Sequence, residues 1–154
     1  MAKISSIEGR ILYNSRGSKT IEVDVQSDNQ FLGRVCAPSG ASVGKYEAVS
    51  FPDGKPEESL RILKENSQKF IGLESSDLKA IHDVLKELDG TENYSGVGGA
   101  LAFAVTIASM DSAAKASGEP LFRTLSSESS FKFPFPLGNI LGGGAHAGPG
   151  TPDI

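Results

Sequence analysis

The sequence predicts an α+β fold, a three-stranded antiparallel meander followed by a helical bundle. Two patterns lead to it. Between residues 4 and 37, three apolar stretches of strand length are separated by turn-forming residues, and the middle one alternates strictly. Between residues 56 and 126, apolar residues recur at helical spacing, with proline at starts and glycine at stops. At 154 residues the chain has the length of about one domain and can bury roughly 70% of its unfolded surface.

Each element has a local reason. Ile4 to Tyr13 reads as the first strand, with Ile7, Ile11 and Tyr13 evenly spaced on one face. Asn14 to Lys19 forms a turn broken by Arg16-Gly17-Ser18. Thr20 to Ser27 is the clearest strand: Ile21, Val23 and Val25 alternate with Glu22, Asp24 and Gln26. Asp28-Asn29 predicts a tight hairpin into a third strand, Phe31 to Ala37. A long loop from Pro38 to Asp53 follows.

Pro56 suits a helix start, and Glu57 and Glu58 favour the positive end of the helix dipole. This first helix is expected to reach about Phe70, with Leu60, Leu63, Phe70 and Ile71 on one face and Gly72 as its stop. Asp77 to Leu88 reads as a second amphipathic helix, carrying Leu78, Ile81, Leu85 and Leu88 as a stripe and ending at Gly90. His82 lies beside the stripe and reads as a solvated residue. Gly98 to Ser117 is apolar on all sides over its first turns, the mark of a buried central helix. Pro120 opens a short fourth helix to about Ser126. Ser126 to Ser130 is a polar linker and the expected domain boundary. Beyond it, Phe131 to Ile140 is apolar, but Pro134 and Pro136 demote it as a regular central strand.

Composition narrows the function classes. A net charge of −4 with no basic stripe argues against a nucleic-acid partner. The longest apolar run, Val97 to Met110, is about 14 residues, short of the roughly 20 a membrane span needs. Met1-Ala2-Lys3 leads straight into strand pattern, so no signal peptide is expected. The single cysteine, Cys36, has no internal partner and reads as a small core residue in a reducing, cytoplasmic setting.

Pro38 to Gly44 carries two glycines, two serines, an alanine and a proline. Such a segment leaves N–H and hydroxyl groups uncovered, which suits an oxyanion or a hard metal ion. An ordinary surface turn has the same composition, because glycine and serine dominate turns for conformational reasons.

Three motifs here resemble those of one family. Ser39-Gly40-Ala41-Ser42-Val43-Gly44-Lys45-Tyr46-Glu47-Ala48 is similar to the mobile catalytic loop of the enolases, the phosphopyruvate hydratases. Asn14-Ser15-Arg16-Gly17-Ser18, followed by Thr20-Ile21-Glu22-Val23-Asp24-Val25, resembles the family's early signature. Leu137 to Ala147, with Gly142-Gly143-Gly144-Ala145-His146, resembles its glycine-rich histidine segment and is similar to archaeal members there. The resemblance implies an amino-terminal capping domain over residues 1–127. Residues 128–154 would then be the linker and a truncated first segment of a (β/α)8-type barrel. It implies dehydration of 2-phosphoglycerate to phosphoenolpyruvate with Mg²⁺, where enolase-superfamily sites use a Lys or His base beside the metal. Ser42 would ligate a second Mg²⁺. Ser39, Gly40, Ala41 and Ser42 would close over the phosphoester, with Gly40 and Gly44 as hinges, and His146 would contact substrate. The expected partners are that phosphorylated substrate and further copies of the protein, with no nucleic acid and no membrane span. Arg16 is expected to be structural; its plain reading is a turn-flanking arginine paired with Glu22 or Asp24.

The sequence departs from the family in three places. Asn14 stands for its usual Asp, Val43 for Thr, and Gly99-Ala100 for Ala-Asn. The ending Gly148-Pro149-Gly150-Thr151-Pro152-Asp153-Ile154 reads as a cut edge, with the base, the acid and the first-metal ligands expected beyond it. The chain alone is therefore expected to be inactive. Two other readings stay open: a non-enzymatic interaction module derived from such a domain, and a superfamily member acting on another carboxylate.

Overall fold

The computed structural model describes residues 2–40, 43–126, 128–138 and 140. Three strands, β1 (Ile4–Tyr13), β2 (Lys19–Ser27) and β3 (Phe31–Cys36), form one antiparallel meander in the order β1-β2-β3. Val23 pairs with Gly9 on one side and Val35 on the other, so β2 is the central strand. The hairpin between β2 and β3 turns at Asp28 and Asn29, both at positive φ (50° and 56°), the conformation these short polar side chains tolerate best.

Four helices follow: α1 (Pro56–Asn66), α2 (Leu78–Asp89), α3 (Gly99–Ser117) and the short α4 (Leu121–Thr124). α2 stops at Gly90 as expected, where φ is a left-handed 65°; Asp77, expected as its first residue, instead caps it, its carboxylate accepting the Ala80 N–H. α3 packs against β2 and β3, and the core lies between them, with Ile21, Val23, Val25, Leu101, Val105 and Ala108 fully buried. β3 approaches α3 at Gly33, where an added Cβ would stand 1.9 Å from the Ala108 carbonyl oxygen. Ser112 completes the seam by donating to the Phe31 carbonyl (2.8 Å).

Several expectations change. The even spacing of Ile7, Ile11 and Tyr13 does not give one buried face: Tyr13 is 69% exposed, beyond the edge of the core. Ile4 and Ile7 are both buried instead, because the register shifts between Ile4 and Ser6 and the bulge changes the phase of the strand. α1 ends at Asn66, short of Phe70, and a 3-10 turn over Ser67–Lys69 follows. The chain then turns back along β1: the Gly72 N–H donates to the Ile4 carbonyl, and the Ile4 N–H to that of Leu73 (both 2.9 Å). That return buries Phe70 and leaves Ile71 partly exposed. α3 is buried over most of its length but not all round, since Phe103 stays 43% exposed. His82 is half-buried, its Nε2 lying 3.2 Å from Thr106 Oγ1 and so linking α2 to α3. Residues 128–138 carry no helix or strand. Phe131 stacks edge-on against Phe122 with centroids 4.9 Å apart, while Phe133, Phe135 and Leu137 stand almost fully exposed.

Candidate functional site

The loop after β3 is held by two anchors. At its start the Ala37 N–H donates to the Ile21 carbonyl (2.9 Å), and the buried Thr20 hydroxyl donates to the Ala37 carbonyl (2.9 Å). This pair continues the sheet for one residue past β3 and fixes where Pro38 leaves it. Before the chain enters α1, the far end of the loop lies against the N-terminus of α3. The first N–H groups of a helix lack intrahelical partners. Here Gly99 N–H donates to the Val49 carbonyl (2.7 Å) and Ala100 N–H to that of Ser50 (3.1 Å). Glycines make the approach possible. At Gly98, with φ of 93°, a Cβ would meet Ser50 O and Ser59 Oγ at 2.7 Å; at Gly99 it would meet Ala48 Cβ at 2.9 Å. The departure at Gly99-Ala100 thus leaves the helix start satisfied by loop carbonyls rather than by a side chain.

A third support lies beneath the second anchor. The Val49 N–H donates to the Asn93 carbonyl (2.8 Å), in the loop between α2 and α3. Asp89 organises that loop. One carboxylate oxygen accepts the Gly96 and Val97 N–H groups (2.8 and 2.9 Å), and the other accepts the Thr91 N–H (2.9 Å) and hydroxyl. Burial pushes the Asp89 carboxyl up. The hydrogen bonds from Thr91, Val97 and Gly96 outweigh it and hold the group below its ordinary value. Asp89 was not singled out from sequence, where it reads as a last-turn acid before a glycine. The one available signal is the Asp-Gly-Thr run, which suits a side chain folding back on its own loop.

Between the anchors the described part of the loop is exposed. Gly44 and Glu47 close a small ring: the Gly44 N–H donates to Glu47 Oε1 (2.9 Å), and the Glu47 N–H to the Gly44 carbonyl (3.3 Å). Tyr46 is 92% exposed, with the Lys45 ammonium 5.5 Å from its ring centroid. Beside the first anchor a groove of about 240 Å³ runs between the β1–β2 turn and the loop, lined among others by Asn14, Arg16, Thr20 and Ser39. Asn14 bridges it, donating from Nδ2 to Ser39 Oγ (2.8 Å).

Of the residues expected in the site, Ser39 and Gly40 lie on the exposed start of the loop. Ala41, Ser42 and His146 lie outside the described residues. Among the described residues, no three His, Cys, Asp or Glu side chains are grouped so as to hold a metal ion, and they do not by themselves fit Mg²⁺.

Arg16 does not pair with Glu22 or Asp24. Those carboxylates are taken by Arg10 and Arg34 on the outer face of the sheet. Arg34 grips Asp24 with two hydrogen bonds (2.7 and 2.8 Å), and Arg10 bridges Glu22 and Asp24. The Asp24 carboxyl is held below its ordinary value, first by the Arg34 hydrogen bonds. Cys36 is not a core residue. It faces this outer cluster and is exposed, because Val35 takes the inward position. Its thiol donates to Glu22 Oε2 (2.9 Å), and that bond together with burial pushes the thiol up to about 11. At neutral pH it is a thiol, unsuited to nucleophilic work.

Comparison with known proteins bears on this loop-bearing domain as a whole. The family model described as "Enolase, N-terminal domain" matches residues 4–125. Curated relatives named Enolase match almost the entire chain. Those of Methanosphaera stadtmanae and Methanothermobacter thermautotrophicus are each 44% identical over 152 residues, 98% of this chain. That of Halorubrum lacusprofundi is 38% identical over 151 residues, 96% of this chain. In each case the match covers 36% of the relative's own length, so the chain spans about a third of these proteins.

Proposed function

The chain belongs to the enolase family through its N-terminal domain, and on that footing we propose that it serves the Mg²⁺-dependent, reversible dehydration of 2-phosphoglycerate to phosphoenolpyruvate. One observation carries the reading beyond family membership. A segment of small residues is slung between two rigid anchors, the end of the sheet and the start of α3, with Ser39 and Gly40 exposed on it. A lid needs that arrangement: fixed ends, and a span able to close over substrate and exclude water.

In this reading residues 1–127 form the capping domain, and residues 128–154 lead into a barrel domain. Ser39, Gly40, Ala41 and Ser42 cover the phosphoester, and His146 contacts the substrate. Ser42 offers one oxygen to Mg²⁺, a hard cation that prefers oxygen donors. The bound metal would stabilise charge developing on the substrate carboxylate. The carboxylate ligands and the base would come from the part of the relatives that this chain does not span. The chain by itself then has no turnover. The protein is cytoplasmic and works as a homo-oligomer; among the described residues no helix is long and apolar enough to cross a membrane.

The test is a Mg²⁺ titration of phosphoenolpyruvate formation by the protein as expressed from its native gene, with its Ser42→Ala variant. Loss of one oxygen ligand should raise the Mg²⁺ requirement and cut turnover by about 100-fold, in the range for removing one preorganised electrostatic contact. An unchanged Mg²⁺ dependence would remove Ser42 from the site.

A second reading has its own observation. Phe133, Phe135 and Leu137 are almost fully exposed within five residues, and contiguous exposed apolar surface marks interaction sites. If the native gene product has the mass of this chain, 16.1 kDa, the domain is instead an association module, and that surface is where to seek its partner.

A further inference from the structure

The strongest unassigned feature is the closed ring at the far end of the loop. Glu47 takes both backbone groups of Gly44. Its Oε1 accepts the Gly44 N–H (2.9 Å), and its own N–H donates to the Gly44 carbonyl (3.3 Å). The second bond closes a turn over residues 44–47; the first reaches back across it, as a Glu or Gln side chain does in a capping box. Two residues further on, Val49 is held from both sides, its N–H on the Asn93 carbonyl (2.8 Å) and its carbonyl on the Gly99 N–H (2.7 Å). The ring therefore stands next to a fixed point of the fold. It also accounts for Gly44. That residue's φ lies outside the left-handed region, so its conformation does not call for glycine. The three atoms nearest an added Cβ all belong to Glu47: Oε1 at 3.0 Å, and Cδ and Cγ at 3.6 Å. Glycine there leaves room for the Glu47 side chain to fold back.

We infer that Glu47 is a positioning residue that carries the rigidity of the Val49 anchor back to Gly44, so that the closing segment bends before Gly44 and not beyond it. Without the ring, the span free between the anchors grows from residues 38–43 to residues 38–48. A longer free span costs more conformational entropy each time it is ordered. Closure driven by substrate then leaves less binding energy over, which shows as a higher KM at nearly the same kcat. The ring is exposed and braces none of the core, so its loss leaves the folded domain as stable as before. Reach matters more than charge here. Gln has the same length and an oxygen to accept with, whereas Asp keeps the charge but falls one methylene short. The inference rests on the reading of this segment as a lid over the phosphoester.

The experiment uses the protein as expressed from its native gene, with Glu47→Ala, Glu47→Asp, Glu47→Gln and Gly44→Ala. Three quantities are measured: the rate of tryptic cleavage after Lys45, which is exposed inside the ring, KM and kcat for 2-phosphoglycerate, and the thermal midpoint. Glu47→Ala should speed the cleavage about tenfold, as local opening no longer breaks a charge-assisted hydrogen bond. It should raise KM about fivefold, with kcat and the midpoint little changed. Glu47→Asp should behave like Glu47→Ala, and Glu47→Gln should restore most of both effects. Gly44→Ala should raise KM by displacing the carboxylate, yet add nothing further in a Glu47→Ala background. If Glu47→Ala leaves either the cleavage rate or KM within about twofold of the parent, or if Asp rescues where Gln does not, the inference is overturned while the functional reading stands. A parent protein with no turnover of 2-phosphoglycerate would overturn both.

Discussion

Asp89 shows how much one side chain can carry. Its two oxygens accept three backbone N–H groups and one hydroxyl, and they hold the loop whose Asn93 carbonyl supports Val49. Asp89→Asn keeps the shape but turns donors toward donors, and should cost about 2 kcal/mol in denaturant unfolding. The pH dependence follows from the lowered carboxyl. A carboxyl that is more acidic when folded contributes its stability in full above the unfolded value of about 3.9, and loses it as pH falls through the lower folded value. The variant should therefore have a flatter acid limb below about pH 4; an acid limb parallel to that of the parent would contradict this. Cys36 gives a second test at this scale. With its thiol at about 11, alkylation should be slow at pH 7 despite exposure and should accelerate only at strongly alkaline pH. Glu22→Gln removes the largest cause of the shift and should bring alkylation to lower pH. A fast reaction in the parent at pH 7 would refute the assignment.

At the scale of elements, sequence and structure agree where the signal is local. The period-2 pattern of β2, the Asp28-Asn29 turn, Pro56 at the start of α1 and the Gly90 stop of α2 are each decided by a few neighbouring residues, and each is found. What the sequence hides depends on assembly. Nothing in the strand pattern marks Gly33, yet it is where β3 touches α3 backbone to backbone. α1 ends before the stripe does because pairing of the chain with β1, through Gly72 and Leu73, overrides the helical pattern. Cys36 faces outward, not into the core, because strand phase and not polarity decides which side a residue takes. The candidate site is less legible still. Composition marks the Pro38–Gly44 segment as a turn or a binding loop, and only the resemblance separates the two. The loop's anchors at Thr20, Ser50 and Asn93 are distant in sequence and announce nothing alone.

Two glycines make this difference measurable. Gly33→Ala drives a Cβ into the backbone of α3, which cannot yield as a side chain tip would, and should cost about 3 kcal/mol or more. Gly72→Ala meets only open space at φ of 86° and should cost about 1 kcal/mol, the strain of a left-handed alanine. Equal losses in chemical denaturation would show that β3 and α3 are not in such close approach.

For the whole molecule, the chain spans about a third of the length of its relatives. The described residues hold no grouped metal ligands, and the exposed aromatic run after α4 has no covering layer among them. The most direct test compares Mg²⁺-dependent formation of phosphoenolpyruvate from 2-phosphoglycerate by the native gene product and by the 154-residue chain, at equal concentration. The account predicts turnover by the native product and none above background by the chain. Turnover by the isolated chain, or none by the native product, would contradict it.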